Sequence, residues 1–281
     1  MHQVSQADRV AYFRHLHMRR PLVLPNAWDA ASARVIELAG AVAIASTSAG
    51  VSWSYGHGDG QKLQREDMIQ AIQRMAQTVA IPVTADIKGG YGSGSTGDVA
   101  ETVRALIAIG VVGINLEDSP GRDGETVLAP EAHAERIRAA REAALAAGGD
   151  LVINARTDVY LFQVGAPETR FAETVRRAHL YRAAGADCLF VPGVIATDTI
   201  AALVRAIDGP LNIMAMPGAP SVSQLGQLGV ARVSVGPAIT QAALALTRRA
   251  ARELLEQGTY GALEESLPVG EVNGMFASSH S

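Results

Sequence analysis

Val83-Thr84-Ala85-Asp86-Ile87-Lys88-Gly89-Gly90-Tyr91-Gly92 decides the reading of this chain, together with Gly113-Ile114-Asn115-Leu116-Glu117-Asp118. Each stretch is a short apolar run that stops at a carboxylate and opens into a loop. As neighbours in a parallel sheet, the two runs bring Asp86 and Glu117 to one mouth. Oxygen ligands at the carboxyl ends of adjacent strands suit a hard cation such as magnesium. Lys88 is the oddity, a cation where a further acid is expected.

Working outward, six more β-rich runs appear, giving strands at 21–24, 42–47, 82–87, 113–117, 151–155, 188–191, 211–216 and 232–235. They are near-continuous in apolar residues, as in a parallel sheet buried on both faces. Helical spacing fills the gaps. Met68, Ile69, Ile72, Met75 and Ala76 mark a helix over 66–79, and Ile137, Ala140 and Ala144 mark one over 132–145. Glu131, Glu135, Arg136 and Arg138 supply the wet face of the second. Gly40, Gly110, Gly149, Gly185 and Gly229 stand where a helix must cap and the chain turn back into the sheet. Eight β-then-α units predict a (β/α)8 barrel forming one domain over 1–281. A doubly wound open sheet is the alternative. Its phosphate-binding glycines are not found after the first strand, which runs into Pro25-Asn26-Ala27-Trp28. A further helix over 239–257 and a weaker stretch follow the last strand, and Ala277-Ser278-Ser279-His280-Ser281 reads as a disordered tail.

Composition narrows the function classes. The chain has 281 residues, a formal net charge of -4 and 19% charged residues, so no basic excess points to nucleic acid. No apolar run reaches the ~18 residues of a membrane span, and the first residues lack a signal-peptide core. A cytoplasmic location is the expectation. The single cysteine, Cys188, excludes an intrachain disulfide or a cysteine-built zinc site and reads as a buried strand residue.

Strand ends face the active site of a barrel. Collecting them gives Asn26, the run Thr47-Ser48-Ala49-Gly50, Asp86, Lys88, Glu117, Asp118, Asn154, Arg156 and Asp158, with Gly56-His57-Gly58-Asp59-Gly60 after the second strand. This set suits a small dicarboxylate or 2-oxo acid held on a divalent ion. Arg156 offers a two-pronged clamp for a distal anion, and the N–H groups of Ser48, Ala49 and Gly50 offer a cradle for a second carboxylate. Each residue also has a structural reading. Asp118 suits a cap, Arg156 a pairing with Asp158 or Glu117, and His57 a solvated loop. His133 and His179 fall within helices, and Trp28 and Trp53 suit packing as well as pocket lining.

Taken in order, these pieces resemble the isocitrate lyase and phosphoenolpyruvate mutase superfamily. Further matches are Pro25-Asn26-Ala27-Trp28-Asp29-Ala30-Ala31-Ser32-Ala33, Asn154-Ala155-Arg156-Thr157-Asp158 and Gly185-Ala186-Asp187-Cys188-Leu189-Phe190-Val191-Pro192-Gly193. The resemblance implies a (β/α)8 barrel, magnesium (or manganese), and cleavage or formation of C–C or P–C bonds beside a 2-oxo acid. It also implies a homotetramer or homodimer in which the helical region 239–270 packs on a neighbouring subunit. By position, Asp86 is implied as the direct metal carboxylate, Glu117 as the acid holding the metal and Asp59 as the loop acid near it. Thr47, Ser48 and Ala49 are implied as the carboxylate cradle and Arg156 as the substrate-binding arginine.

Two departures qualify the resemblance. After the fourth strand the lyases carry a Lys-(Lys/Arg)-Cys-Gly-His loop and the mutases a Lys and an Asn; here the segment is Ser119-Pro120-Gly121-Arg122-Asp123-Gly124-Glu125-Thr126. The second is Lys88, at a position where the family has an acid. An ammonium only donates and repels a divalent ion. Either Lys88 bonds an acid such as Asp59 and the metal is held weakly, or its ammonium replaces the metal beside Asp86 and Glu117. A Schiff-base lysine is a third, remote option. The sequence therefore reads as a magnesium-dependent lyase cleaving a C–C bond next to a 2-oxo acid, such as oxaloacetate, through a pyruvate enolate. P–C chemistry on phosphonopyruvate is the rival, and a non-catalytic barrel that binds a small acid is another.

Overall fold

A computed structural model describes residues 5–18, 21–120 and 127–277. Its sheet is wholly parallel and runs β1(Leu22–Leu24), β9(Arg232–Ser234), β8(Leu211–Met214), β7(Cys188–Val191), β6(Val152–Arg156), β5(Gly113–Glu117), β4(Val83–Asp86), β3(Ile44–Ser46), β2(Asn26–Ala27). The two ends of that order, β1 and β2, are consecutive in the chain, so the sheet closes on itself. The structure is the expected (β/α)8 barrel with additional C-terminal helices.

Nine segments replace the eight expected because the first strand is interrupted at Pro25, which has no N–H for the ladder. Its carbonyl still accepts from the Ala45 N–H at 3.2 Å, and the Asn26 side chain accepts from the Val235 N–H at 2.9 Å. The first strand therefore spans the seam. Its first half pairs with β9 and its second half with β3.

Helices α2(Ala30–Leu38), α3(Ser48–Ser54), α4(Arg65–Thr78), α5(Thr96–Ala108), α6(Pro130–Ala146), α7(Pro167–Ala183), α8(Thr197–Ala206) and α9(Val222–Gln227) alternate with the strands. The apolar spacing read for α4 is the buried face: Met68, Ala71, Ile72 and Met75 are covered. Each large side chain there contributes about 1.5–3 kcal/mol of burial. The expected glycine caps stand in left-handed backbone at Gly40, Gly110, Gly185 and Gly229, but before β6 the residue with positive φ is Gly148, not Gly149.

Helix α1(Gln6–Leu16), which the sequence did not suggest, closes the barrel from below. Its Val10, Phe13 and Leu16 pack with Leu22, Leu24, Ala43, Ala45, Val112 and Val152 in a cluster separate from the main core. Of these, Leu22, Ala43, Val112 and Val152 sit at or next to the N-terminal ends of β1, β3, β5 and β6, so α1 is a plug opposite the mouth. At the other end of the chain, α10(Ala238–Gln257) buries only Thr240 and leaves Leu244, Leu246, Leu254 and Leu255 exposed. Helix α11(Val269–Phe276) returns to α2, where the Arg34 Nε–H donates to the Met275 carbonyl at 2.6 Å. Of the polar tail, only Ala277 lies within the described residues.

Candidate active site

A cavity of about 420 Å³ opens at the C-terminal ends of the strands. Thr47, Ser48, Ala49, Asp59, Asp86, Lys88, Glu117 and Arg156 all line it, so the residues implied as metal, carboxylate and substrate ligands reach one space, while Asp118 and Asp158 do not. The barrel register does this. Asp86 pairs with Asn115 across β4 and β5, and Glu117 pairs with Arg156 across β5 and β6. With side chains alternating along each strand, Thr84/Asp86, Asn115/Glu117 and Asn154/Arg156 project inward at two successive levels.

Asp86 is held from three sides. One carboxylate oxygen accepts from the Ser48 N–H at 3.0 Å and the other from Asn115 Nδ2 at 3.2 Å, while the Asp86 N–H donates to Ser46 Oγ at 2.8 Å. Asn115 in turn accepts from Asn154 Nδ2 at 2.9 Å. Burial raises the Asp86 carboxyl, but Arg156, Lys88 and the Ser48 contacts outweigh it and hold it below its ordinary value. Glu117 accepts from Ser119 Oγ at 2.8 Å and pairs with Arg156 at 2.9 Å. Burial dominates there, aided by Asp158 and Asp86 and opposed by Arg156 and Lys88, and lifts its carboxyl to about 7.

Arg156 is committed to the protein. Besides Glu117 it pairs with Asp158 at 2.6 Å, and its guanidinium lies 5.6 Å from the centre of the Phe190 ring. The structural reading of Arg156 is thus realised at the cavity wall. Thr47 also has a structural duty, its hydroxyl accepting from the Gly50 N–H at 3.5 Å to cap α3. Gly50 is required by space: a Cβ there would lie 2.7–2.8 Å from Thr240 Oγ1, Thr47 Cγ2 and Trp28 Cβ.

Lys88 is 4% exposed and its ammonium pairs with Asp59, which stands at the rim with its side chain 53% exposed. The Lys88 backbone lies at φ 50, a left-handed conformation that costs a non-glycine residue roughly 1–2 kcal/mol. The Glu117 N–H pins its carbonyl at 2.9 Å. Tyr91 follows at φ 63, and Gly90 between them could not be replaced without strain, since a Cβ would meet Val99 at 2.4 Å. Gln61 bolts the Asp59 loop to this turn, accepting from the Tyr91 N–H at 3.1 Å and donating to the Pro120 carbonyl at 3.0 Å. Residues 121–126 of the loop after β5 lie outside the described residues.

The donor set can be tested against a divalent ion. Asp86 and Glu117 have the right chemistry, but each already accepts donors from the chain, and Asp59 is taken by Lys88. Among the described residues no three His, Cys, Asp or Glu side chains are grouped to hold a metal. A buried ammonium occupies the place of the expected acid. These residues do not fit a tightly held magnesium ion.

Other residues fall away from the cavity or were not singled out by the sequence. Asp118 is buried in a structural cluster, pairing with Arg177 at 2.9 Å and accepting from the Tyr181 hydroxyl at 2.8 Å. His133 is buried edge-on to the Tyr181 ring at 4.7 Å, and His57 is exposed. Cys188 is buried in β7, and burial pushes its thiol up to about 12. Asn115, Ser46, Gln61 and Arg232 had no assigned role. For Arg232 a signal existed: it is the lone charge in the strand Ala231-Arg232-Val233-Ser234-Val235, at an inward position.

A family model described as phosphoenolpyruvate phosphomutase matches residues 13–255. An uncharacterised protein of Mycobacterium tuberculosis (strain H37Rv) is 36% identical over 257 residues, covering 91% of this chain and 92% of that protein. A provisionally named lyase/mutase from Burkholderia cenocepacia J2315 shares the fold at a TM-score of 0.89 and 38% identity, covering 97% of this chain and 98% of that one. Oxaloacetate acetylhydrolase, solved with the inhibitor 3,3-difluorooxalacetate, aligns at a TM-score of 0.84 and 27% identity, covering 97% and 93%. With the strand-end acids and the arginine around one cavity, the chain belongs to the phosphoenolpyruvate phosphomutase family.

Proposed function

We propose that the chain is a carbon–carbon lyase that cleaves the bond next to a 2-oxo acid, with oxaloacetate or a related small dicarboxylate as substrate and a pyruvate enolate as intermediate. The observation that carries this reading is the buried Lys88 ammonium. It lines the same cavity as the Thr47-Ser48-Ala49 segment and is held by Asp59 on a strained turn. Strain at such a position points to function. The substrate carboxylate lies against Ser48 and Ala49, with its 2-oxo oxygen turned to Lys88. When the C–C bond breaks, its electron pair passes into the three-carbon fragment, and negative charge builds on that oxygen. A fixed, buried ammonium stabilises such charge. Protonation of the enolate carbon completes pyruvate. Asp59 orients Lys88, while Asp86 and Glu117 orient the Ser48 backbone and Arg156.

The resemblance implies magnesium, with manganese as a substitute. The donor set favours Lys88 in its place, so no step here passes through a metal. A panel of 2-oxo acids, phosphonopyruvate included, is assayed for pyruvate release with and without magnesium. The expected result is release from a C4 acid without added metal and its loss in Lys88→Met. Tight magnesium binding by calorimetry, abolished in Asp86→Ala, would sink the metal-free reading. Turnover of phosphonopyruvate alone would move the chain to P–C chemistry. Ligand binding without turnover of any acid would favour the non-catalytic barrel.

The exposed leucines of α10 support a second part of the proposal, that region 239–270 packs on another copy of this chain in a homotetramer or homodimer. Light scattering tests it: a monomer at micromolar concentration removes it.

A further inference from the structure

Arg232 is the first residue of β9 and is 2% exposed, yet it lines the same cavity as Asp86 and Lys88. Its Nε and Nη1 have no hydrogen-bond partner, and among the described residues it forms no ion pair. Asp86 feels its charge, but the oxygens of Asp86 are already taken by Ser48 and Asn115. Two other polar atoms of the cavity wall, Thr84 Oγ1 and Asn154 Oδ1, are likewise buried without partners. On the far side lies the α1 plug. There the His17 Nδ1–H donates to the Phe13 carbonyl at 2.9 Å, which leaves Nε2 as a lone pair with no donor. Among the described residues no carboxylate pairs with this guanidinium, and Asp86 acts on it only from a distance.

A buried charge without a partner is unfavourable by several kcal/mol, and buried charges in folded proteins are normally paired. Burial lowers the Arg232 guanidinium to about 10, which still leaves it charged at neutral pH. An arginine with unused N–H donors facing a cavity is built to receive a planar anion.

We propose that Arg232 is a second anion subsite at the floor of the cavity, which holds the far carboxylate of a dicarboxylate whose other end lies at the mouth. The inference rests on the reading that a small acid occupies this cavity. It assigns selectivity to a residue one strand-length below the reacting groups: Arg232 admits dianions and leaves monoanions weakly held. Arg156 cannot do this work while paired to Glu117 and Asp158.

Calorimetry in metal-free buffer tests it, with pyruvate, malonate and succinate as probes on the wild type, Arg232→Met and Arg232→Lys. The wild type is expected to hold at least one of the two dicarboxylates tighter than pyruvate. Arg232→Met is expected to lose roughly 30-fold or more of that affinity while pyruvate changes by less than about threefold. Arg232→Lys is expected to fall between, because it keeps the charge and loses the planar fork. Arg232→Met is also expected to melt no lower than the wild type, since it removes an unpaired buried charge. Equal loss of all three ligands, unchanged dicarboxylate binding, no binding by the wild type, or a marked fall in melting temperature would each overturn the subsite. Dicarboxylate discrimination without pyruvate release from any 2-oxo acid would remove the lyase reading and leave the subsite standing.

Discussion

Two arginines project into one barrel and live in opposite circumstances. Arg156, at the mouth, is clasped by Glu117 and Asp158 and lies beside Phe190. Arg232, at the floor, has unpaired donors and acts on His17 of the α1 plug. The same side chain is a strut in one place and an unanswered charge in the other. The difference lies in the neighbours. Beside Arg156, β5 ends in Glu117 and its own strand runs on to Asp158, whereas the strands beside Arg232 carry Leu22 and Asn212 in register.

The comparison can be broken most directly by removing the strut. Arg156→Met strands two buried carboxylates and should destabilise the fold by about 3–5 kcal/mol in urea titration. Arg232→Met should cost nothing comparable, and similar losses for both would erase the distinction. Next in size is Asp86→Ala, which frees the Ser48 N–H and Asn115 from their shared partner. Steady-state kinetics should show a loss of roughly 10²- to 10³-fold in kcat if the mouth performs the chemistry. Gly50→Ala tests how tightly the mouth is built. The new methyl meets Thr240, Thr47 and Trp28, and denaturation should show a loss of about 1–3 kcal/mol.

The last test, whose effect vanishes above about pH 6.5, works through buried histidines. Burial, then the Arg232 charge, lowers His17 to about 4, and burial lowers His133 to about 3. The unfolded chain protonates both near pH 6.5 and the native state does not, so the unfolded state binds more protons between these values. The stability due to neutral histidine is therefore full above about pH 6.5 and declines as pH falls toward 4 and 3. Each residue contributes up to about 1.4 kcal/mol per pH unit in that window. His133→Phe should flatten the acid limb of a stability–pH curve. In Arg232→Met, the His17 resonances should titrate at a higher pH than in the wild type; no change would separate His17 from the floor charge.

Much of the barrel was legible because buried parallel strands leave an apolar signature and helices a periodic one. All eight strand positions and the helices α4, α6 and α10 follow from those two patterns. The break at Pro25 and helix α1 were not visible. A strand continuing past proline depends on what its neighbours offer, and α1 carries too weak an amphipathic pattern to declare the end it plugs. At the site, acids at strand ends announced Asp86 and Glu117. The bond from Lys88 to Asp59 was one of three alternatives, and only the turn at Gly90 and the Gln61 bridge select it.

The chain by itself determined the strand-end chemistry, the glycine turn and the family resemblance, because these depend on residue type and local spacing. Tertiary structure decided which charges meet. Closing the sheet brings β9 beside β1, sets Arg232 level with Leu22 with no ion-pair partner among the described residues, and aligns Arg156 with Glu117. Register and closure are properties of the whole barrel, and pairing between charges far apart in sequence follows from them alone.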